Sequence, residues 1–170
     1  MTSPDFFRKW TAYALALIAV LCLECFIMNR LPVWGVTPRL LPLAAVIVAV
    51  LEGPLSGAGF GLAVGILADA VYPGLAGGMT LILTFLGLGM GLLCRYFLHQ
   101  NYLGCLICSI LAFFTIDLIR IMFDLLTHVA SLSTLCFLAF RELSWSLVFT
   151  VPLYWLFRAI HRRISRSANL

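Results

Sequence analysis

Charge is what this sequence has least of. Asp, Glu, Lys and Arg make up 11% of its 170 residues, where a soluble domain carries about 25%. Hydrophobic side chains make up 63% and the mean hydropathy is +1.08. A helix needs roughly 20 apolar residues to cross a bilayer, so the chain holds about six short-looped spans and nothing more. That excludes a soluble enzyme, a nucleic-acid-binding module and a receptor with a folded ectodomain. The formal charge of +4 does not point to nucleic acid, because the basic residues stand at span ends, where they orient a membrane protein. Catalytic signatures are missing as well: no Walker loop, no Ser/His/Asp set, no HExxH and no paired acids. His99, His128 and His161 fall at predicted membrane boundaries. The chain reads as non-enzymatic, with no cofactor and no metal.

The six cysteines imitate a metal site without making one. Cys22 with Cys25 and Cys105 with Cys108 have the spacing of paired zinc knuckles, but knuckles sit in polar turns where four thiolates converge. Here all six, Cys94 and Cys136 included, lie in or at the ends of apolar runs. Small, polarizable packing residues are the simpler reading.

The expected architecture is one all-α polytopic membrane domain over residues 1–170. Its spans are predicted at 10–28, 39–51, 55–71, 79–98, 102–127 and 134–157, followed by a basic tail at 158–170. The first apolar run outlasts a signal-peptide core and lacks a small-residue cleavage site, so it reads as an uncleaved span. The second is short for a crossing and predicts a tilted, irregular or partly re-entrant element. An N-in, C-in arrangement places seven basic residues inside (Arg8, Lys9, Arg95, Arg158, Arg162, Arg163, Arg166) and Arg30 and Arg39 outside, which satisfies the positive-inside rule. No internal repeat or low-complexity segment is visible.

Three features stand out against this apolar background. Gly53, Gly57, Gly61 and Gly65 recur every four residues, and Asp69 continues the register. Such a ridge lets another backbone approach closely, either inside one fold or between molecules. Asp117, Arg120 and Asp124 share a face of the fifth span, where Arg120 is placed to bridge both carboxylates. Arg141 and Glu142 are adjacent in the sixth span and point in different directions, so one of them is expected to meet a neighbouring span. Ionisable groups at this depth face a bundle interior, a partner or water. Relays need acceptors at successive depths on several helices, so the five charges predict a structural or partner-facing cluster. The third feature is the basic tail, a topology and lipid anchor.

The order of features between Thr37 and Gly78 resembles the MreD family, the integral membrane subunit of the bacterial rod-shape machinery. Thr37-Pro38-Arg39-Leu40-Leu41 is similar to that family's proline-led start of a short span, although the family often has Pro-Asp where this chain has Pro38-Arg39. Glu52-Gly53-Pro54-Leu55-Ser56-Gly57 resembles its glycine-proline turn, and Gly61 to Asp69 resembles its glycine-rich core ending in aspartate. The resemblance implies a non-enzymatic scaffold in the bacterial cytoplasmic membrane. Its implied partners are an MreC-like bitopic protein and, through it or directly, MreB, RodA and a penicillin-binding transpeptidase. It also implies kinship with the S-component fold of energy-coupling-factor vitamin transporters. That supplies the rival reading, a substrate-binding subunit docking through Ala12/Ala16 or Ala45/Ala49. The outer loops are short and poor in Asn, Gln and Ser, which counts against transport.

Overall fold

Leu40 to Val50 contains no polar side chain, and a helix that is apolar all round has to be buried all round. In the computed structural model this run lies at the centre of the molecule, each residue from Leu40 to Val50 buried. The structure describes residues 3–27, 39–71, 77–96, 102–126 and 132–167, and no strand occurs among them. They form α1 (Ser3–Cys22, continued by a π-helical turn, Leu23–Ile27), α2 (Leu40–Glu52), α3 (Pro54–Val71), α4 (Gly78–Tyr96), α5 (Tyr102–Leu126), α6 (Leu132–Val148) and α7 (Thr150–Ser167). The loops expected at 29–38 and 72–76 lie outside the described residues. α1, α3, α4, α5 and α7 pack around α2, and α6 meets its N-terminal end at Arg39.

Six spans were expected, the second of them short, tilted, irregular or partly re-entrant. Four helices are long and apolar enough to cross a membrane (residues 8–26, α3, α4 and α5), and the bent pair α6–α7 makes a fifth if counted as one. With 13 residues, α2 is only ~20 Å long, short of a ~30 Å hydrocarbon core. The span read as continuous over 134–157 is broken at Phe149, where the helix axis turns by 44°. Pro152 accounts for the break, since it has no N–H and its ring would collide with the carbonyl of Val148. A short bond from the Phe149 N–H to the Ser146 carbonyl carries the chain across it. Helix then continues to Ser167, so the tail expected from residue 158 begins as the last turns of α7.

Contacts at its two ends order the bundle. At one end Lys9 of α1 and His161 of α7 meet Glu52, and Gly91 of α4 lies against Pro54. At the other, Glu24 meets the start of α2, Arg39 meets Glu142 of α6, and Asp69 meets the start of α4. The N-terminal turn of α1 and the C-terminal half of α7 therefore share one end.

Glycine sets the approach of α3 to α4. A Cβ on Gly57 would fall 2.5 Å from the Ala49 Cβ and 2.7 Å from the Gly87 carbonyl oxygen. A Cβ on Gly61 would collide with the Leu83 carbonyl, and one on Gly65 with Thr80. From the opposite side, Gly87 is pressed against the Gly57 carbonyl and Gly91 against Pro54. Two backbones can come this close only where the residue pointing at its neighbour has no Cβ. Gly53 differs from the other ridge members: its surroundings are open and its φ is +93°, so it serves the turn between α2 and α3. Asp69 ends the register by accepting the Met79 and Thr80 backbone N–H groups at 3.2 and 3.0 Å, a carboxylate at a helix N-terminus.

These contacts predict a sharp contrast among glycines. Gly61→Leu and Gly87→Leu should prevent accumulation of folded protein, because the clash is with backbone that cannot move aside. Gly59→Ala and Gly89→Ala, where a Cβ meets open space, should leave the thermal midpoint in detergent within a few degrees of the parent.

Candidate functional site

The first turn of α2 leaves backbone N–H groups without intrahelical partners, and in a buried helix water cannot satisfy them. Glu24 does so. One carboxylate oxygen accepts the N–H groups of Leu40 and Leu41 at 3.1 and 2.8 Å, from a residue only 3% exposed. A negative charge here also complements the helix dipole. One residue earlier, the Arg39 N–H donates to the Ser146 hydroxyl of α6 at 3.2 Å.

The Arg39 side chain completes a charged cluster on the same end of the bundle. Its Nε lies 2.5 Å from Glu142 Oε1, and Arg120 Nη1 of α5 lies 3.2 Å from Glu142 Oε2. One carboxylate on α6 thus serves guanidiniums from α2 and α5. Asp117, 8% exposed, lies within electrostatic reach of Arg39, Arg120 and Glu142. Two positive and two negative groups are gathered where isolated charge would be costly. Arg120 keeps nearly half of its side chain exposed.

A second cluster holds the other end of α2. Glu52 accepts from the Tyr13 hydroxyl at 2.6 Å, pairs with Lys9 Nζ, and lies 2.7 Å from His161 Nδ1. Beneath it Tyr13 stacks on Phe157 at 6.1 Å, and Phe60 meets both rings edge-on. Four helices, α1, α2, α3 and α7, are tied by one carboxylate and three rings.

The residues singled out from sequence are thus distributed over distinct places. Gly57, Gly61 and Gly65 lie at the α3–α4 contact, Gly53 in a turn, and Asp69 on the cap of α4. Arg120, expected to bridge Asp117 and Asp124, pairs with Glu142, because α6 presents that carboxylate beside it, and it lies within electrostatic reach of Asp117. The side chain of Asp124 lies outside the described residues. Arg141 points elsewhere, its guanidinium 5.6 Å from the centroid of the Phe137 ring. Sequence reasoning missed Glu24, Arg39, Glu52, Lys9, Tyr13 and His161 as partners. The available signal was positional: Glu52 closes a wholly apolar helix and Glu24 ends the preceding span, so both needed partners once that helix was buried. Cys94, Cys105 and Cys108 are buried in the core, and among the described residues no group of three His, Cys, Asp or Glu is arranged to hold a metal ion.

A family model described as "MreD: rod shape-determining protein MreD" matches residues 5–164. No curated protein and no solved structure matches the chain.

The geometry ranks the charged residues. Glu142→Gln should cost roughly 3–5 kcal/mol, because it removes the largely buried carboxylate that pairs with both Arg39 and Arg120. Arg120→Ala should cost clearly less, since Arg39 still neutralises Glu142 and the lost guanidinium was half exposed. Adding Arg39→Met to Glu142→Met should recover stability relative to Glu142→Met alone. Thermal unfolding of the purified variants in one detergent measures all four.

Proposed function

The chain belongs to the MreD family of rod shape-determining proteins, and from that premise we propose a non-enzymatic scaffold of the cell-wall elongation machinery. Members of this family take part in rod-shape determination, and the apolar helices make this one a multi-pass membrane protein. In the proposed role it holds an MreC-like bitopic protein in the bacterial cytoplasmic membrane. Through that protein or directly, it connects MreB filaments with RodA and a penicillin-binding transpeptidase. The observation that carries a scaffold is the interlocked core. Glycine contacts fix α3 on α4, and charges cap both ends of α2, so the bundle offers its partners a fixed surface.

The same core counts against the S-component reading. A substrate chamber needs convergent polar groups, whereas Glu24, Glu52 and Glu142 are each occupied by neighbouring groups of the chain itself. Ala45 and Ala49 are buried, Ala49 against Gly57, so that small-residue pair is not available for docking. The groove of about 360 Å³ between α4 and α5 is lined by apolar side chains with Thr115 and Gly89, and it opens outward.

Depletion in a rod-shaped host should give rounded, swollen cells with vitamin uptake intact, and extraction in mild detergent should recover a bitopic partner with an extracytoplasmic domain. A growth defect cured by one added nutrient, with shape preserved, would replace the scaffold by transport.

An N-in, C-in orientation follows from the basic residues gathered at the Glu52 end. A reporter fused after Arg166 should read cytoplasmic and one inserted at 74–76 extracytoplasmic.

A further inference from the structure

The two faces of α7 are built for different surroundings. Thr150, Tyr154 and Phe157 are buried, and His161 on the same side reaches Glu52. Steps of three and four residues put Val151, Trp155, Arg158 and Arg162 together on an adjoining face, roughly 100° further round the helix. Val151 is 43% and Trp155 62% exposed, Arg162 is exposed and Arg158 partly so. Followed toward its C-terminus, this outward face passes from an aliphatic side chain to an indole and then to two guanidiniums one turn apart. The Arg158 guanidinium lies over the Tyr154 ring, 5.5 Å from its centroid, which holds one of the two charges at a set depth.

Nothing in the described protein neutralises these arginines. Neither takes part in an ion pair among the described residues. Among the described residues the carboxylate at this end, Glu52, is largely buried and already engaged by Lys9, Tyr13 and His161. Exposed Arg8 beside Lys9, and exposed Arg95 one turn beyond Gly91, add positive charge at the same end. Among the described residues none supplies their counter-charge, which leaves room for an anionic ligand. It has to sit beside an exposed indole and an aliphatic strip, which a soluble acidic segment would leave uncovered. A phospholipid supplies both parts. Its phosphate matches paired guanidinium forks, the indole belongs at the headgroup level, and an acyl chain covers Val151.

We propose that the outward face of α7 is a binding site for an anionic phospholipid, with phosphate on Arg158 and Arg162 and an acyl chain along Trp155 and Val151. The site rests on the membrane-spanning reading and is independent of the scaffold role. It makes α7 a lipid-anchored element.

The test is native mass spectrometry of the full-length protein released from nanodiscs of mixed phosphatidylglycerol and phosphatidylcholine. The parent should retain phosphatidylglycerol over phosphatidylcholine by about thirtyfold, the preference expected from two arginines near the headgroup. Arg158→Gln with Arg162→Gln should bring the ratio to within a few-fold of one. Arg8→Gln with Arg95→Gln removes the same charge from the same end and should leave most of the preference in place. Equal losses in the two double variants would overturn the site in favour of a general surface field, and no loss in either would overturn it outright. Should the α7 double variant fail to accumulate, Trp155→Ala decides, since an outward-facing indole can be removed without touching the core. Unchanged retention in that variant overturns the proposal. Displacement of bound phosphatidylglycerol by a soluble polyglutamate peptide of comparable affinity would also overturn it, by assigning the arginines to an acidic protein partner.

Discussion

Everything in this bundle depends on an apolar helix that is too short to span the membrane and too hydrophobic to touch water. Burying α2 on all sides removes eleven consecutive residues from solvent, a large favourable contribution, but it also carries both helix ends inside the protein. Backbone groups and charges at those ends then have to be met by neighbouring helices, because an unsatisfied polar group at this depth costs several kcal/mol. Glu24 answers at the N-terminal end and Lys9, Tyr13 and His161 answer Glu52 at the C-terminal end. Lys9, Glu24, Arg39, Glu52 and Glu142 stand where this one helix needs them.

The glycine contacts belong to the same solution. A central helix can be surrounded only if its neighbours close around it. α3 follows α2 directly through the Gly53 turn and presses Gly57 onto Ala49. With α4 held against that face through Gly61, Gly65, Gly87 and Gly91, three consecutive helices form one tightly packed layer. α1, α5, α6 and α7 complete the ring with longer side chains, aromatic ones near Glu52 and charged ones near Arg39. The break at Phe149 fits this arrangement, since it lets α6 bring Glu142 to Arg39 and α7 bring His161 to Glu52.

The helices are joined at both ends of α2 and interlocked by backbone contact. The faces left over are an apolar belt toward lipid, the half-exposed Arg120 at one end and the arginines of α7 at the other.

Some of this was legible in the order of residues alone. Composition established a polytopic helical membrane protein, hydrophobic run lengths showed that the second helix is short, and four-residue glycine spacing marked the face where a backbone approaches. Each of these is a local property, set by helical periodicity or by bilayer thickness, and needs no knowledge of neighbours. Adjacency even showed that Arg141 and Glu142 must diverge. The partners were another matter. Arg120 stood within a turn of two aspartates, but its pairing with Glu142 of another helix was not visible, nor that Arg39, placed on the outer side at the start of the second span, shares that carboxylate. Glu24 and Glu52 gave no sign of which groups would meet them. An ion pair between helices depends on how far each is rotated about its axis and on the depth at which its side chain emerges. Both are decided by how all the helices pack around α2, so only the assembled bundle contains them.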